Sequence, residues 1–400
     1  MISVEDAWSR IFAGLRPVGD EIVSLADGLG RVLAAPVVAR LTQPPADVSA
    51  MDGYALRAED GAVGARLKLI GEAPAGRPFA GRVGPGEAVR IFTGSFVPEG
   101  ADTILIQENA EAADGFVTVR ESAAPGQYIR RAGMDFAAGD VLLPAGRRLG
   151  AREIGLAAAG NHGWLRVHRR PRVAVLAAGD EIALPGEDIR HGGIANANTP
   201  MLAAFIAAHG GEPVMLPPVP DDGAAIASAV EAARGADMLV TAGGVSVGAH
   251  DMVLEGLSTE GFTLDFWKIA MRPGKPLLFG RVEAMPVLGL PGNPVSAFVC
   301  AVLFLGPALR VLAGGEAAAP GLEPARLGAA LKPNDLREDY LRARLERDGA
   351  GWVAVPLPVQ DSAMLNALAQ AQALIRRPPY QEALAPGATV EIIRLDDWNA

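Results

Sequence analysis

Strand and helix patterns alternate between residues 172 and 312, and this alternation limits the possible folds more than any other feature. The strand candidates are continuous apolar runs, which are typical of strands buried on both faces. They are RVAVLA, PVMLPPV, ADMLVT, PLLFG and MPVLGL, and segments with helical spacing separate most of them. The pattern therefore predicts a doubly wound, mostly parallel sheet with helices on both faces. Ligands of such sheets bind beyond the carboxyl ends of the strands.

On either side of this region, the chain has a different composition and periodicity. Four hundred residues exceed what one compact core usually holds, so we expect a multidomain α/β protein. Residues 41–139 are dense in glycine and proline, with short alternating runs such as DTILIQE, which indicates a β-rich module. We interpret it as inserted into a helical linking domain of residues 1–40 and 140–171, with a separate domain as the alternative. We expect the doubly wound domain at 172–314 and a small C-terminal β domain at 315–400.

Capping residues give finer predictions about individual helices. Ser3 and Ser24 are each suited to begin a helix, over SVEDAWSRIF and SLADGLGRVLAA. Asn198 is suited to cap a helix that ends at Gly210-Gly211. The longest apolar run, VSAFVCAVLFLGPAL, is interrupted by Gly306-Pro307 and is shorter than the ~20 residues of a membrane span, so we expect a buried helix.

Composition excludes several classes of function. A formal net charge of −10 argues against a broad basic face for nucleic acid. The acidic start MISVEDAWSR is not a secretion signal, and we expect no membrane partner. Cys300 is the only cysteine, so an intrachain disulfide and a thiolate cluster are impossible, which fits a cytoplasmic location. The five histidines lack zinc spacing, and no Walker A, G-x-G-x-x-G or G-x-S-x-G motif occurs.

The loop TAGGVSVGAHD, residues 241–251, follows one of the predicted strands. Gly243, Gly244 and Gly248 permit close approach of the backbone to a ligand, and Ser246 adds a hydroxyl. Backbone N–H groups there and at the following helix favour an anion. Asp251 would repel a bare phosphate, but it suits Mg²⁺ bound between carboxylate and phosphate. The alternative is that Asp251 only charges the first helical turn.

Three further loops, AAGDEI, RPGKP and LGLPGNPVSA, are predicted at the same edge of the sheet. Each has an ordinary explanation, because acids often cap helices and basic side chains are usually solvated surface. Together, acidic and basic groups at one sheet edge suggest a metal-bridged phosphate or oxyanion ligand. The residues concerned are Asp180, Glu181, Lys268, Arg272, Lys275, Pro291, Gly292, Asn293 and Pro294.

Six motifs in these and other segments resemble those of one family. They are QPPADVSAMDGYA (43–55), RIFTGSFVPEGADTILIQE (90–108), AAGDEI (177–182), TAGGVSVGAHDM (241–252), FWKIAMRPGKP (266–276) and GLPGNPVSA (289–297). The family is the molybdopterin molybdenumtransferases, which include the bacterial molybdenum-insertion enzyme and the E domain of gephyrin. The motifs occur in the family's order and span nearly the whole chain.

The resemblance implies a protein of four domains that works as an elongated homodimer, with the β-rich insert reaching the partner's doubly wound domain. It implies the last step of molybdenum cofactor assembly. Molybdate is inserted into adenylated molybdopterin, which is supplied by a molybdopterin adenylyltransferase. The phosphoanhydride is cleaved with Mg²⁺, and AMP is released.

The resemblance also implies roles for individual residues. Expected catalytic residues are Asp52, Thr93, Glu181, Asp251, Lys268 and Lys275, and the expected metal ligands are Glu181 and Asp251. Expected substrate-binding residues are Gly243, Gly244, Ser246, Gly248, Arg272, Pro291, Asn293 and Pro294, with Arg342 and Ser362 for molybdate.

Some positions depart from the family or have a second explanation. The family often has lysine where Arg272 stands, so a planar fork replaces a point charge. It commonly has an acid where Asn196 stands, while Asn198 is retained. Asp135 and Asp222 match family positions but are equally suited to turns.

Three alternative functions remain open. A pterin adenylyltransferase would share only the sheet domain and lack the β insert and the last β domain. A non-catalytic, molybdopterin-binding assembly scaffold would not need the acids, yet Asp52, Glu181 and Asp251 are present. A paralogue that inserts tungstate cannot be separated by sequence, because the two oxyanions are alike in size and charge.

Overall fold

The structure is a computed structural model of the chain and describes residues 1–243, 252–349 and 351–396. Its helices are α1 (Val4–Gly14), α2 (Ala151–Ala159), α3 (Asn198–Ala208), α4 (Gly223–Ala232), α5 (Met252–Thr259), α6 (Pro294–Cys300), α7 (Gly306–Leu312) and α8 (Leu365–Ala369).

The N-terminal 171 residues are mostly β structure. The strands are β1 (Asp20–Ser24), β2 (Val37–Val38), β3 (Val48–Ser49), β4 (Gly53–Leu56), β5 (Arg66–Ala73), β6 (Glu87–Ile91), β7 (Thr103–Ile106), β8 (Ala110–Ala113), β9 (Phe116–Val119), β10 (Ile129–Arg130), β11 (Val141–Leu143) and β12 (Trp164–His168). Six of them form one sheet in the order β7-β4-β6-β5-β9-β8. Outside it, β1 pairs with β12 and β2 with β11, so the segments on either side of the β-rich module meet in space.

The two predicted N-terminal helices have different outcomes. The Ser3 prediction is confirmed, since its side chain accepts a hydrogen bond from the Asp6 amide at the start of α1. The Ser24 prediction is wrong, because Ser24 ends β1 and the chain then turns. Gly30 there has a φ of 77°, which a helix cannot accommodate and which favours glycine.

The central sheet lies between residues 172 and 290. The strands of this region are β13 (Arg172–Ala177), β14 (Ile182–Ala183), β15 (Ile194–Ala195), β16 (Glu212–Met215), β17 (Met238–Ala242), β18 (Phe262–Trp267), β19 (Met271–Arg272), β20 (Leu278–Val282) and β21 (Met285–Leu290). Six strands form the sheet in the order β16-β13-β17-β21-β20-β18. The first four run parallel, and β20 runs antiparallel to both β21 and β18. The prediction of a doubly wound, mostly parallel sheet is confirmed.

Side chains alternate between the two faces of this sheet, as a two-residue period requires. Val173 and Val175 of β13 face a core shared with α1, α3 and the α6–α7 helix. Ala174 and Leu176 face a second core, shared with α4 and α5. Apolar residues on both faces explain why the strand is a continuous apolar run.

The long apolar helix is buried, as expected. It continues through Gly306-Pro307 because a π-helical turn, Ala301–Leu305, joins α6 to α7. A π turn rearranges the backbone hydrogen bonds where Pro307 lacks an N–H, so the expected interruption is absorbed. By length and composition, Pro294–Leu312 would pass for a membrane span, but 89% of its apolar window is buried inside the fold.

The C-terminal segment forms a small barrel. Its strands are β22 (Glu323–Leu327), β23 (Glu338–Asp348), β24 (Gly351–Pro356), β25 (Ala373–Arg377) and β26 (Thr389–Arg394). The order β23-β24-β22-β26-β25 closes on itself, because β25 also pairs with β23. The short strand β19 extends from the central region and pairs with the start of β23. The expected C-terminal β structure is confirmed, including the hairpin after Asp348.

The predicted cap of α3 needs correction. Asn196, not Asn198, holds the start of α3, because its side-chain oxygen accepts a hydrogen bond from the Thr199 amide at 3.1 Å. The Asn198 side chain instead donates to the Gly292 carbonyl. Asn293 stands at the N-cap position of α6, but its side chain makes no capping bond. Sequence spacing alone could not distinguish these options, because each asparagine has the short polar side chain that caps prefer.

Candidate functional site at the carboxyl edge of the central sheet

The carboxyl ends of β13, β17, β21 and β18 lie at one edge of the sheet. Strand β18 reaches this edge because it is antiparallel to β20, which is itself antiparallel to β21. From β13 the chain crosses by α3 to β16 on one side, and by α4 from β16 to β17 on the other. The two connections lie on opposite faces, so β13 and β17 flank a topological switch point, where doubly wound sheets bind ligands.

Three loops converge at this switch point around Gly243. Its amide donates to the Leu290 carbonyl at 3.3 Å, and its φ of 92° lies in the region that favours glycine. A Cβ at Gly243 would lie 3.0 Å from the Ala178 carbonyl oxygen, and a Cβ at Gly292 would lie 3.4 Å from the Gly243 Cα. A larger residue at Gly243 would therefore push apart the loops that follow β13 and β21.

The loop that follows Gly243 carries four of the expected site residues. Gly244, Ser246, Gly248 and Asp251 lie outside the described residues. Helix α5 begins at Met252, immediately after them.

Three carboxylates gather beside this edge. The Asp180 side chain accepts a hydrogen bond from the Asp221 amide at 3.2 Å. Burial raises the pKa of Asp221, and the charges of Glu181 and Asp180 raise it further. The position thus carries excess negative charge and fits a hard divalent cation. Within residues 1–243, 252–349 and 351–396, no three acidic, histidine or cysteine side chains form a ready-made cage for a metal ion.

Two lysines occupy opposite arms of the loop that joins β18 to β20. The Lys268 amide donates to the Leu277 carbonyl, and the Ile269 amide donates to the Lys275 carbonyl, each at 3.0 Å. The Lys268 ammonium lies 3.9 Å from the centre of the Trp267 ring. In the part of the chain that is described, neither ammonium has a carboxylate within 4.0 Å, so both charges remain available to an anion.

Arg272, from the same loop, is paired within the fold. Its guanidinium makes two hydrogen bonds of 2.9 Å with the Asp339 carboxylate, and its Nη1 lies 3.7 Å from Asp335. Asp339 is only 1% exposed. Substrate binding by Arg272 stays a prediction, and within the fold its fork attaches the loop to the barrel.

The barrel also contacts the loop after β21. Asn293 donates to the Ser362 hydroxyl at 2.9 Å, and the Val295 amide donates to the Ser362 carbonyl at 3.1 Å. On the other side of this loop, the Asn198 amide nitrogen donates to the Gly292 carbonyl at 2.7 Å. The expected site residues Pro291, Asn293, Pro294 and Ser362 are therefore brought together.

The buried side chain of Arg342 supports the Ser362 loop. It is 1% exposed, and its Nη1 donates to the Asp361 carbonyl at 2.8 Å. Burial lowers its pKa, an effect that the nearby Asp361 opposes. Its Nε is buried and has no hydrogen-bond partner among the described residues. Arg342 thus supplies a buried positive charge directly beneath Ser362.

Asp52 and Thr93 meet each other in the β-rich module. The Thr93 amide and hydroxyl both donate to one Asp52 oxygen, at 2.8 and 2.9 Å. These hydrogen bonds lower the pKa of Asp52, so the carboxylate is ionised at neutral pH. Within the described part of one chain, neither residue has a hydrogen bond or ion pair with the sheet-edge residues.

Two further acids have local structural contacts. Asp222 caps α4 by accepting a hydrogen bond from the Ala225 amide at 2.8 Å. The Asp135 amide donates to the Gln43 carbonyl at 3.0 Å, within a turn.

Sequence reasoning missed Asp339, Asp221 and the contact from Asn198 to Gly292. The acids in NDLREDY carried a weak signal, since they stand near an arginine-rich strand. No sequence signal pointed to the other two contacts, because their partners lie 41 and 94 residues away in sequence.

Sequence comparison identifies three matching families along the chain. Residues 2–160 match the MoeA N-terminal region (domain I and II), and residues 174–311 match a probable molybdopterin binding domain. Residues 324–395 match the MoeA C-terminal region (domain IV).

Whole-chain relatives agree with these matches. The molybdopterin molybdenumtransferase of Nostoc sp. is 35% identical over 99% of this chain and 94% of its own length. Molybdopterin molybdenumtransferase 2 of Mycobacterium tuberculosis is 35% identical, over 98% of this chain and 99% of its own. A crystal structure of the molybdopterin biosynthesis MoeA protein from Pyrococcus horikoshii superposes with a TM-score of 0.86 at 31% identity, covering 98% of this chain and 99% of that one. The chain therefore belongs to the molybdopterin molybdenumtransferase family and is a transferase of molybdenum cofactor biosynthesis.

Proposed function

We propose that the chain inserts molybdate into adenylated molybdopterin, with magnesium-dependent cleavage of the phosphoanhydride and release of AMP. The P–O bond of the anhydride breaks as a water oxygen joins the adenylate phosphorus, which gives AMP, and the other phosphate stays on the pterin. The observation that carries the proposal is the convergence of the loops after β13, β17 and β21 with the Ser362 loop of the barrel. Acids follow β13 at this edge, and the loop after β18 carries two ammonium groups that have no carboxylate within 4.0 Å among the described residues.

The backbone around Gly243 would hold the phosphates and the pterin tail, together with Gly244, Ser246 and Gly248. Gly243 has a positive φ and no Cβ, which lets a ligand approach the backbone closely at the switch point. Pro291 and Pro294 restrict the neighbouring loop, which reduces the entropy lost when substrate binds.

Glu181 and Asp251 would hold magnesium and orient the attacking oxygen, with Asp180 and Asp221 adding negative charge nearby. Magnesium, when bound, supplies a divalent charge that offsets the negative charge on the phosphate oxygens.

Lys268 and Lys275 would neutralise the charge that develops on the phosphate oxygens during cleavage. Fixed cations aimed at developing charge are usually the largest contribution to phosphoryl transfer. Arg272 would contribute by holding their loop against Asp339. Ser362 would donate to molybdate, over the buried charge of Arg342.

Asp52 and Thr93 would complete the site from a partner subunit, in a homodimer. They lie on the β-rich module and are hydrogen-bonded to each other. We further propose that the enzyme works in the cytoplasm and receives its substrate from a molybdopterin adenylyltransferase.

The central experiment incubates the protein with adenylated molybdopterin, molybdate and Mg²⁺ and measures AMP and protein-bound molybdenum. We expect both products to appear together and neither to form without molybdate or Mg²⁺. Tight binding of the adenylated pterin without AMP release would instead favour a scaffold. A second series with tungstate compares the two oxyanions.

Magnesium alone is expected to raise the thermal unfolding midpoint, because it relieves repulsion among Asp180, Glu181 and Asp221. At a magnesium concentration several times the dissociation constant, the free energy of unfolding rises by about 1 kcal/mol. Glu181→Gln should lose most of this gain. The control Asp188→Asn, an exposed acid in the same loop, should keep it. Equal stabilisation of wild type and Glu181→Gln would exclude Glu181 as a ligand.

A further inference from the structure

A basic cleft lies at the opposite edge of the central sheet, and the proposed reaction does not use it. It encloses about 530 Å³, and six arginines contribute to its lining: Arg31, Arg148, Arg169, Arg170, Arg310 and Arg394. We call it the basic cleft. Residues 169–170 precede β13 at its amino end, so the six-residue length of β13, about 20 Å, separates the cleft from the carboxyl edge.

The cleft is built from all three parts of the fold. Arg31 and Arg148 come from the N-terminal segment, Arg310 comes from α7, and Arg394 ends the last strand of the barrel. A ligand that contacts these groups together would join parts that are distant in sequence.

Half of these arginines have acidic partners. Arg31 pairs with Glu21, Arg169 with Asp237 and Arg394 with Asp396. The one acid in the lining itself is Glu323.

The other three arginines have no acidic partner in the described part of the chain. Among residues 1–243, 252–349 and 351–396, no carboxylate lies within 4.0 Å of Arg148, Arg170 or Arg310. Six guanidinium groups and four carboxylates therefore leave two positive charges, in a chain whose net charge is −10. Arg148, Arg170 and Arg310 are exposed, so their charges are open to an anion from solution.

His209, at the end of α3, is affected by the positive charges of these arginines. Its ring stacks on Phe205 with centroids 4.1 Å apart, and its Nδ1 lies 2.7 Å from the Phe205 carbonyl. Burial lowers the pKa of His209, and the charges of Arg148 and Arg310 lower it further. Both arginines are thus close enough to act on a group inside the cleft.

We propose that the basic cleft binds a small phosphate ester, with Arg148, Arg170 and Arg310 as its phosphate ligands. Guanidinium forks match phosphate oxygens in pairs and are more weakly hydrated than ammonium groups. The volume exceeds that of a single phosphate and falls in the range of small-molecule sites, which leaves space for an organic group. The apolar lining of Leu29, Leu322 and Ala313 suits that group. This site is independent of the proposed reaction.

Calorimetric titration of the full-length protein with ribose 5-phosphate, and separately with inorganic phosphate, tests the proposal. We expect saturable binding of the ester, and weaker binding of inorganic phosphate. The double variant Arg148→Gln/Arg310→Gln should weaken binding at least about tenfold, since it removes two groups that donate charge-assisted hydrogen bonds to phosphate. Should that variant fail to fold, the exposed Arg170→Gln carries the same test.

Two controls separate this cleft from the other anion site. Lys275→Ala removes a cation at the carboxyl edge, and Arg82→Gln removes an exposed arginine of the β-rich module. Neither should change ester binding. The ring-proton resonance of His209, one of only five histidines, should shift with the ester in wild type. No saturable binding, loss of binding in Lys275→Ala, or full affinity in the arginine variants would each overturn the proposal.

Discussion

Two inactive variants, Asp52→Ala and Lys275→Ala, are expected to regain activity when their subunits are mixed. Each alone should lower AMP release by about 10²–10³-fold, the usual loss when one charge-stabilising group is removed. If the β-rich module of one subunit completes the sheet edge of the other, a mixed dimer contains one fully wild-type site and one doubly substituted site. Random mixing then restores roughly a quarter of wild-type activity, because half of the dimers are mixed and each has one good site.

The mixing experiment has an internal control. Lys275→Ala mixed with Lys268→Ala should stay inactive, because both substitutions affect the same loop and every site in the mixed dimer then carries one of them. The measurement is AMP release after subunit exchange in mild denaturant, compared with each variant treated alone. Absence of recovery in the first pair, with exchange verified by mass, would contradict a site shared between subunits.

Arg272→Ala is expected to destabilise the protein by about 2–4 kcal/mol, the range for breaking one side of a buried, hydrogen-bonded charge pair. The Asp339 carboxylate would remain buried without its guanidinium partner. The attachment of the lysine loop to the barrel would weaken at the same time. Arg272→Lys should recover part of the loss, because it keeps the charge but not the two-pronged geometry.

The matched control for this prediction is Arg10→Ala. The two arginine side chains are almost equally exposed, at 46% for Arg272 and 47% for Arg10. Their partners differ, since the side chain of Asp339 is 2% exposed and the side chain of Asp265 is 39% exposed. Arg10→Ala should therefore cost less than about 1 kcal/mol. Urea unfolding followed by tryptophan fluorescence measures both, and equal losses would show that burial of the carboxylate is unimportant.

Periodicity was enough to predict the central sheet, because strands buried on both faces need apolar residues at every position. Val173 to Leu176 show this directly, alternating between two cores. The same reasoning was misled at Ser24, where apolar spacing resembled a helix but Gly30 forces a turn.

The sequence predicted which chemical groups the loops of the site carry, but it did not predict how these loops are arranged in space. Glycines, acids and lysines after successive strands indicated an anion and metal site, since parallel strands bring their carboxyl ends to one edge. Their partners were not predictable. Asp339 binds Arg272 from 67 residues away, and Ser362 meets Asn293 from 69 residues away.

Local pattern and motif were therefore sufficient for the class of fold, the family and the kinds of side chain at the edge, since each depends on residues close together in the chain. Tertiary structure alone decided that Arg272 attaches a loop to the barrel, that Arg342 lies buried and donates to the Asp361 carbonyl beside Ser362, and that Asp52 pairs with Thr93. The reason is physical. Which charges are buried, paired or left available depends on the packing of separate domains, and no short stretch of sequence encodes that packing.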